Sequence, residues 1–204
     1  MKLLYQTHSP YARKVLVFAH EAGLADGIIV EHHETSPTNA SPDVFNQNPL
    51  GKVPVLVRAD QPPLFDSDVI CAYLDTLHHG ARLIPGEGEA RWRALRFQAV
   101  AQGMADSGIA VRWESARRPK HLRYLPLQQG YELKLQQSYS WLERELGDDE
   151  AIHVGHIAIA TTLDWLEFRE LPSFRGRRRL SAWFDSFVAR PSMRLTPLSG
   201  ETHD

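Results

Sequence analysis

Two apolar periods alternate along residues 1–77 and then separate completely, and that order constrains this chain more than any single motif. Runs at 2–5, 28–33, 53–57 and 63–65 read as strands; stretches at 10–23, 41–48 and 67–77 read as helices. Ala59-Asp60-Gln61-Pro62 joins the last two strands. The resulting order, β-α-β-α-β-β-α, requires one parallel β-α-β unit extended by an antiparallel hairpin. Residues 80–88 hold three glycines and Pro85 with no apolar period, and everything beyond them reads as helix.

The helical half divides into four expected segments. Residues 87–118 carry apolar side chains on several faces and stop before Pro119, as a long helix with more than one neighbour would. Residues 127–146 put Tyr131, Leu135, Tyr139, Leu142 and Leu146 on one face, with Gly147 expected as the C-cap. Residues 157–168 are largely apolar and are expected at the centre of the bundle, and 180–188 supply one more helix before Arg190-Pro191. The domains expected are therefore an α/β unit over 1–79, a linker over 80–86 and an all-helical unit over 87–204.

Composition limits the function classes. A chain of 204 residues with 43% hydrophobic and 24% charged residues is globular. No run of about 18 apolar residues is present for a membrane span, and Met1-Lys2 leads directly into a strand, so a cytoplasmic location is expected. The single cysteine, Cys71, excludes an internal disulfide framework. A formal charge of -2 gives no drive toward nucleic acid or acidic membranes. The charge is uneven: residues 1–86 carry six Lys+Arg against nine Asp+Glu, and the remainder 17 against 16.

Ser9-Pro10-Tyr11-Ala12 lies where the first strand meets the first helix. In a thioredoxin-like fold, which the element order matches, that junction holds the reactive sulfur, because unpaired N–H groups and the helix dipole stabilise a thiolate. A dithiol oxidoreductase would carry Cys-x-x-Cys there, and both cysteines are absent. The scaffold for an anion is kept without a nucleophile, so the thiol is expected to arrive with a ligand, and glutathione is the candidate.

Four segments carry a resemblance: Ser9-Pro10-Tyr11-Ala12-Arg13-Lys14-Val15, Asn48-Pro49-Leu50-Gly51-Lys52-Val53-Pro54-Val55-Leu56, Phe65-Asp66-Ser67 leading into Ile70 and Tyr73-Leu74, and Arg190-Pro191-Ser192. Over essentially its whole length the chain resembles a bacterial glutathione S-transferase of the serine type. Gly103, Asp106, Gly108, Glu114, Arg117 and Pro119 further resemble a subgroup of small bacterial members. The family's Ser/Thr-x-x-Asp box would fall on His153-Val154-Gly155-His156, and its loss bears on the stability of the buried helix rather than on chemistry.

The resemblance implies a site that the chemistry of the residues supports. Ser9 is the implied catalytic residue, its hydroxyl donating to the glutathione sulfur; it equally satisfies the N-cap rule with Pro10 at N1, and both roles are expected together. Val53 precedes a proline that is cis in the family, which exposes its backbone to the cysteinyl unit of glutathione. Lys52 is positioned for the glycyl carboxylate, though a solvated loop lysine reads the same way. Asp66 and Ser67 open a helix, where a hydroxyl and free N–H groups suit the γ-glutamyl carboxylate and Asp66 suits its ammonium; helix capping explains both residues as well. The electrophile is expected against Tyr11, Met104, Ser107 and Val111, with His8 flanking the site and Arg112 available to an acidic substrate. A homodimer and a small hydrophobic electrophile are implied, with no metal, nucleic acid or membrane partner.

The implied function is a glutathione-dependent transferase. Two alternatives share its residues: a glutathione-dependent disulfide reductase, and a binding protein without turnover. Cys71, amid Ile70 and Leu74, is expected as a buried hydrophobe. His153 and His156 are spaced for a metal but lack further ligands, so a surface or capping role is expected. Arg175-Gly176-Arg177-Arg178-Arg179 is expected as a solvated loop.

Overall fold

The computed structural model describes residues 1–147 and 151–201. The expected second domain ran to residue 204, so 148–150 and 202–204 lie outside the described residues. Strands β1 (Lys2–Tyr5), β2 (Ile29–His32), β3 (Val55–Arg58) and β4 (Gln61–Leu64) form one sheet in the order β2-β1-β3-β4. β1 runs parallel to β2 and antiparallel to β3, and β3 antiparallel to β4. Helices α1 (Pro10–Glu21), α2 (Pro42–Phe45) and α3 (Ser67–Leu74) complete the expected thioredoxin-like order. The helical part holds α4 (Gly88–Arg112), α5 (Leu125–Glu145), α6 (Val154–Phe168), α7 (Arg178–Val188) and α8 (Pro191–Arg194).

Boundaries differ where local chemistry intervenes. β3 starts at Val55, because Pro54 has no N–H for the ladder. The hairpin turn is only Ala59-Asp60, with Asp60 at φ 57, and Pro62 and Pro63 are tolerated because β4 is the sheet edge. The helix expected to reach residue 118 ends at Arg112 and continues as a π-helical turn, Trp113–Arg117. Glu114 is buried there, accepting from Arg118 Nε at 2.8 Å and from the Tyr124 N–H at 3.0 Å. α5 closes on Leu146 in an extended conformation, so Gly147 is not its cap.

One core crosses both halves. Leu3, Val15, Phe18 and Ile70 pack with Ala94, Val154, Ile157 and Met193, and α1 lies against α6. Arg13, 2% exposed on α1, bonds Asp164 of α6 and donates to the Met193 carbonyl at 3.2 Å. A buried guanidinium needs such partners, since an unpaired charge there would cost several kcal/mol. Lys14 pairs with Asp68, and Arg190 bonds Glu21 through two contacts of 2.8 Å. The segment expected as a linker is fixed too: the Asp75 carboxylate accepts from the N–H groups of Leu83 (2.8 Å) and Ile84 (3.3 Å).

α6 keeps its N-cap by substitution. His153 Nδ1 accepts from the N–H groups of Gly155 (3.1 Å) and His156 (3.4 Å), which does the work of the missing serine or threonine. The two imidazoles stack 3.7 Å apart and are buried, so their role is capping and packing, not surface. Burial lowers the pKa of His153 to about 4 and that of His156 to about 3, which keeps the Nδ1 lone pair of His153 available. Gly108 lets α4 approach α6: a Cβ there would lie 2.7 Å from Leu166 Cδ2 and from Trp165 Cζ3.

The arginine run is largely exposed, as expected, but Arg178 and Arg179 open α7 rather than a loop, and the side chains of Arg175 and Arg177 are engaged. Arg175 bonds Glu167 at 2.7 Å and Asp185 at 2.6 Å and lies over the rings of Phe174 and Phe184; Arg177 donates to Gln136 and Ser140. Four positive groups can be held so closely because α5, α6 and α7 supply carboxylates, amide and hydroxyl oxygens and aromatic faces around them. Cys71 is fully buried, and burial pushes its thiol up to about 12.

Candidate active site

A cleft of about 560 Å³ opens between the sheet domain and α4. Its first wall comes from three loop-to-helix junctions. Ser9 is the N-cap of α1: its Oγ accepts from the Ala12 N–H at 3.2 Å, which leaves the hydroxyl hydrogen free to donate. Asp66 caps α3, accepting from the N–H groups of Asp68 and Val69. Ser67 is 1% exposed, and its hydroxyl has no hydrogen-bond partner among the described residues.

Between these helix ends runs the loop bearing Lys52 and Val53, with a cis Val53-Pro54 bond as the resemblance implied. Buried Asn48 holds it, accepting from the Leu50 N–H at 3.0 Å and donating to the Lys52 carbonyl at 2.8 Å. The Thr35 hydroxyl donates to the Gly51 carbonyl at 2.8 Å. Gly51 has φ 62, and a Cβ there would fall 2.3 Å from the Phe45 ring, so both the turn and the contact require glycine.

The second wall is the face of α4 and its π-helical extension: Gln102, Asp106, Ile109, Arg112, Trp113 and Arg117. Tyr11 bridges the walls, its hydroxyl donating to Asp106. Burial, then the bond to Asp106, raises the Tyr11 pKa, so it stays a neutral phenol. Trp165 of α6 closes the back, its Nε1 donating to the His8 carbonyl at 2.9 Å. His8 is 5% exposed; neither ring nitrogen is hydrogen-bonded among the described residues, and Glu34 Oε2 lies 3.7 Å from Nε2. Burial outweighs Glu34 and lowers the His8 pKa to about 4, so the imidazole beside Ser9 is neutral.

The structure thus brings Ser9, Tyr11, Lys52, Val53, Asp66 and Ser67 to one cleft. Met104, Ser107 and Val111 are not there: at 1%, 4% and 2% exposure they sit on the buried side of α4. The expected face lies nearly half a turn from the cleft, because the small and apolar residues of α4 pack on α6 and leave the cleft to polar and large ones. Residues 102, 106, 109 and 113 share the true face at helical spacing; two polar side chains at its start were the available signal. Asn48, Thr35 and Trp165 had no sequence signal beyond the motif around Asn48. Among the described residues, no group of three or more His, Cys, Asp or Glu is placed to hold a metal ion, and no helix is long and apolar enough to cross a membrane.

A thioredoxin-like domain followed by a helical bundle that completes a cleft beside it is the arrangement of the glutathione S-transferase fold. The model of the family described as "Glutathione S-transferase, N-terminal domain" matches residues 8–77. The uncharacterized GST-like protein YibF of Escherichia coli K12 is 31% identical over 175 residues, covering 84% of each chain. A family member from Pseudomonas fluorescens Pf-5, solved with bound glutathione, superposes with TM-score 0.90 at 33% identity, covering 98% of this chain and 99% of its own. A second structure from that organism holds S-(propanoic acid)-glutathione, with TM-score 0.89, 33% identity and coverage of 98% and 100%. The chain belongs to the glutathione S-transferase family.

Proposed function

We propose that this protein is a glutathione-dependent transferase in which Ser9 stabilises the glutathione thiolate for attack on a small electrophile. The observation that carries it is the pair of serine hydroxyls at two helix N-termini on one cleft, that of Ser67 buried without a partner. A buried unpaired hydroxyl is costly unless a ligand satisfies it. The γ-glutamyl carboxylate suits Ser67 and the start of α3, and its ammonium suits Asp66. The Val53 backbone pairs with the cysteinyl unit, and Lys52 meets the glycyl carboxylate. The glutathione bound by the Pseudomonas relative supports this assignment.

A hydrogen bond to a charged acceptor contributes roughly 1.5–3 kcal/mol, about one to two pKa units. From a thiol near ~8.5, the Ser9 hydroxyl and the α1 dipole bring a substantial thiolate fraction at neutral pH. The thiol proton leaves to solvent, the sulfur forms a bond to the electrophilic carbon, and the leaving group departs with its electron pair. Tyr11 and the Gln102-to-Trp113 face receive the electrophile, taking the place expected for Met104, Ser107 and Val111. The protein is cytoplasmic and a homodimer in this proposal: exposed Trp92 on α4 and exposed Phe45, Leu50 and Val69 on the first domain are apolar surfaces suited to a second copy.

Calorimetry with glutathione, and ultraviolet absorbance of the bound thiolate, test the proposal. Ser67→Ala should weaken binding at least about tenfold, and Ser9→Ala should retain binding while losing thiolate absorbance at neutral pH. No binding by the wild type at millimolar glutathione would sink it. Turnover of a haloaromatic electrophile against hydroxyethyl disulfide separates conjugation from disulfide reduction, and light scattering checks the dimer.

A further inference from the structure

His8 is a buried titratable group beside Ser9 that the chemistry above leaves idle. It lines the cleft, and neither of its ring nitrogens is hydrogen-bonded among the described residues. A neutral imidazole carries one N–H and one lone pair, and leaving both unpaired in a buried site is costly unless a ligand meets them. Glu34 Oε2 lies 3.7 Å from Nε2, so the carboxylate assigns the ring hydrogen to Nε2 and leaves the Nδ1 lone pair unengaged. A contact of this length is ordinary before substrate binds and shortens in the complex. Glu34 is itself aimed: Gln6 Nε2 donates to its Oε2 at 2.8 Å, and His32 Nε2 lies 2.7 Å from its Oε1. Side-chain exposure rises from 5% at His8 to 31% at Glu34 and 44% at His32, a path from the cleft to the surface where β1 and β2 end. Burial above all keeps His8 unprotonated; Arg169, His32 and Arg112 also oppose a charge on the ring, and Glu34 favours one. His8 is therefore ready to accept a proton at neutral pH and unable to keep it.

We propose that His8 and Glu34 form the exit route for the glutathione thiol proton: His8 takes it from the sulfur, and Glu34 carries it to solvent. The inference rests on the glutathione assignment above and deepens it, giving the proton a carrier where Ser9 stabilises the anion that remains. The S–H bond breaks, its electron pair stays on sulfur as the thiolate, and the proton goes to Nδ1 of His8. The imidazolium so formed gives its Nε2 proton to Glu34, which releases it to water, so ring and carboxylate recover their starting charges. Ser9 is not suited to this step, because its Oγ already accepts from the Ala12 N–H and its hydrogen is the donor to the sulfur. Gln6 and His32 are positioning residues for the Glu34 carboxylate.

Stopped-flow mixing of the full chain with glutathione at neutral pH, read by the ultraviolet absorbance of the thiolate, tests the route. His8→Gln should slow thiolate appearance at least about tenfold, with glutathione Kd and final thiolate absorbance within about twofold of the wild type. Imidazole buffer should restore its rate in proportion to the concentration added. Glu34→Gln, which keeps the size of a partly exposed side chain, should slow the same phase several-fold and carries the test by itself if His8→Gln does not fold. Ser9→Ala should give the opposite split, with the thiolate lost at equilibrium. An unchanged rate in either His8→Gln or Glu34→Gln, with glutathione bound and thiolate formed, would overturn this inference alone. Loss of binding or of final thiolate in folded His8→Gln, or a slowed rate that imidazole fails to restore, would make His8 a structural support and overturn it too. Failure of the wild type to bind glutathione would remove both proposals.

Discussion

The two walls of the cleft are built on different principles. The first is a set of short-range devices: Ser9 and Asp66 cap the helices they precede, and Asn48 bonds the backbone two and four residues away. Each group is aimed by its own few neighbours in sequence. The second wall is one side of a long helix, and its side chains face the cleft only because Gly108 lets the other side settle on α6. Function that depends on local geometry tolerates movement of the bundle; function that depends on helix rotation does not.

The largest expected effect tests which wall gives way in acid. Unfolded imidazoles bind protons near pH 6.5, whereas folded His153 and His8 do so at about 4 and His156 at about 3. Below 6.5 the unfolded state therefore binds more protons, and stability falls as pH drops, with the His8 and His153 contributions lost by about 4 and that of His156 by about 3. The loss should reach roughly 3 kcal/mol from His153 alone, at about 1.36 kcal/mol per pKa unit. Urea melts from pH 7.5 to 4 measure it. His153→Asn, which keeps a capping oxygen without titrating, should flatten the curve more than His8→Gln if the α6 side is the weaker.

Gly108→Val should follow in size. Its side chain would collide with Trp165 and Leu166, costing about 2–3 kcal/mol by overpacking, slightly offset by helix propensity. The outcome that sharpens the comparison is kinetic: the electrophile KM should rise while the glutathione Kd moves little. A parallel loss of glutathione binding would show that the walls are not independent.

Asn48→Ala strikes the first wall alone. It removes two bonds and leaves the Lys52 carbonyl and Leu50 N–H without that partner, costing about 1–2 kcal/mol. Here the glutathione Kd should rise and the electrophile KM should not. Tyr11→Phe is the smallest change expected, about 1 kcal/mol, and it cuts the Tyr11–Asp106 hydrogen bond that ties the walls together. Its signature is a change in electrophile KM with glutathione affinity preserved.

The sequence was readable to the extent that its features were local. β1 was bounded as expected, and the starts of α1 and α3 followed from a capping residue with proline or acid beside it. The missing capping box on α6 looked like a defect until the structure brought the His153 imidazole onto two backbone N–H groups. The arginine run is exposed as expected, but its partners, Glu167, Asp185, Gln136 and Ser140, lie on other stretches of the chain and could not be read locally. The two differ in kind: the arginines' partners are distant in the chain, whereas the His153 cap is local, two and three residues from its N–H groups, and was missed because imidazole is not among the favoured capping side chains.

Sequence alone therefore determined the thioredoxin-like order, the replacement of the reactive cysteine by Ser9, and the residues of the first wall, because caps and tight loops are set by neighbours a few positions apart. Tertiary structure alone decided which side of α4 lines the cleft. A helix with small or apolar residues on several faces has no preferred inward side until another helix packs against it, and here α6 takes the face that Gly108 opens.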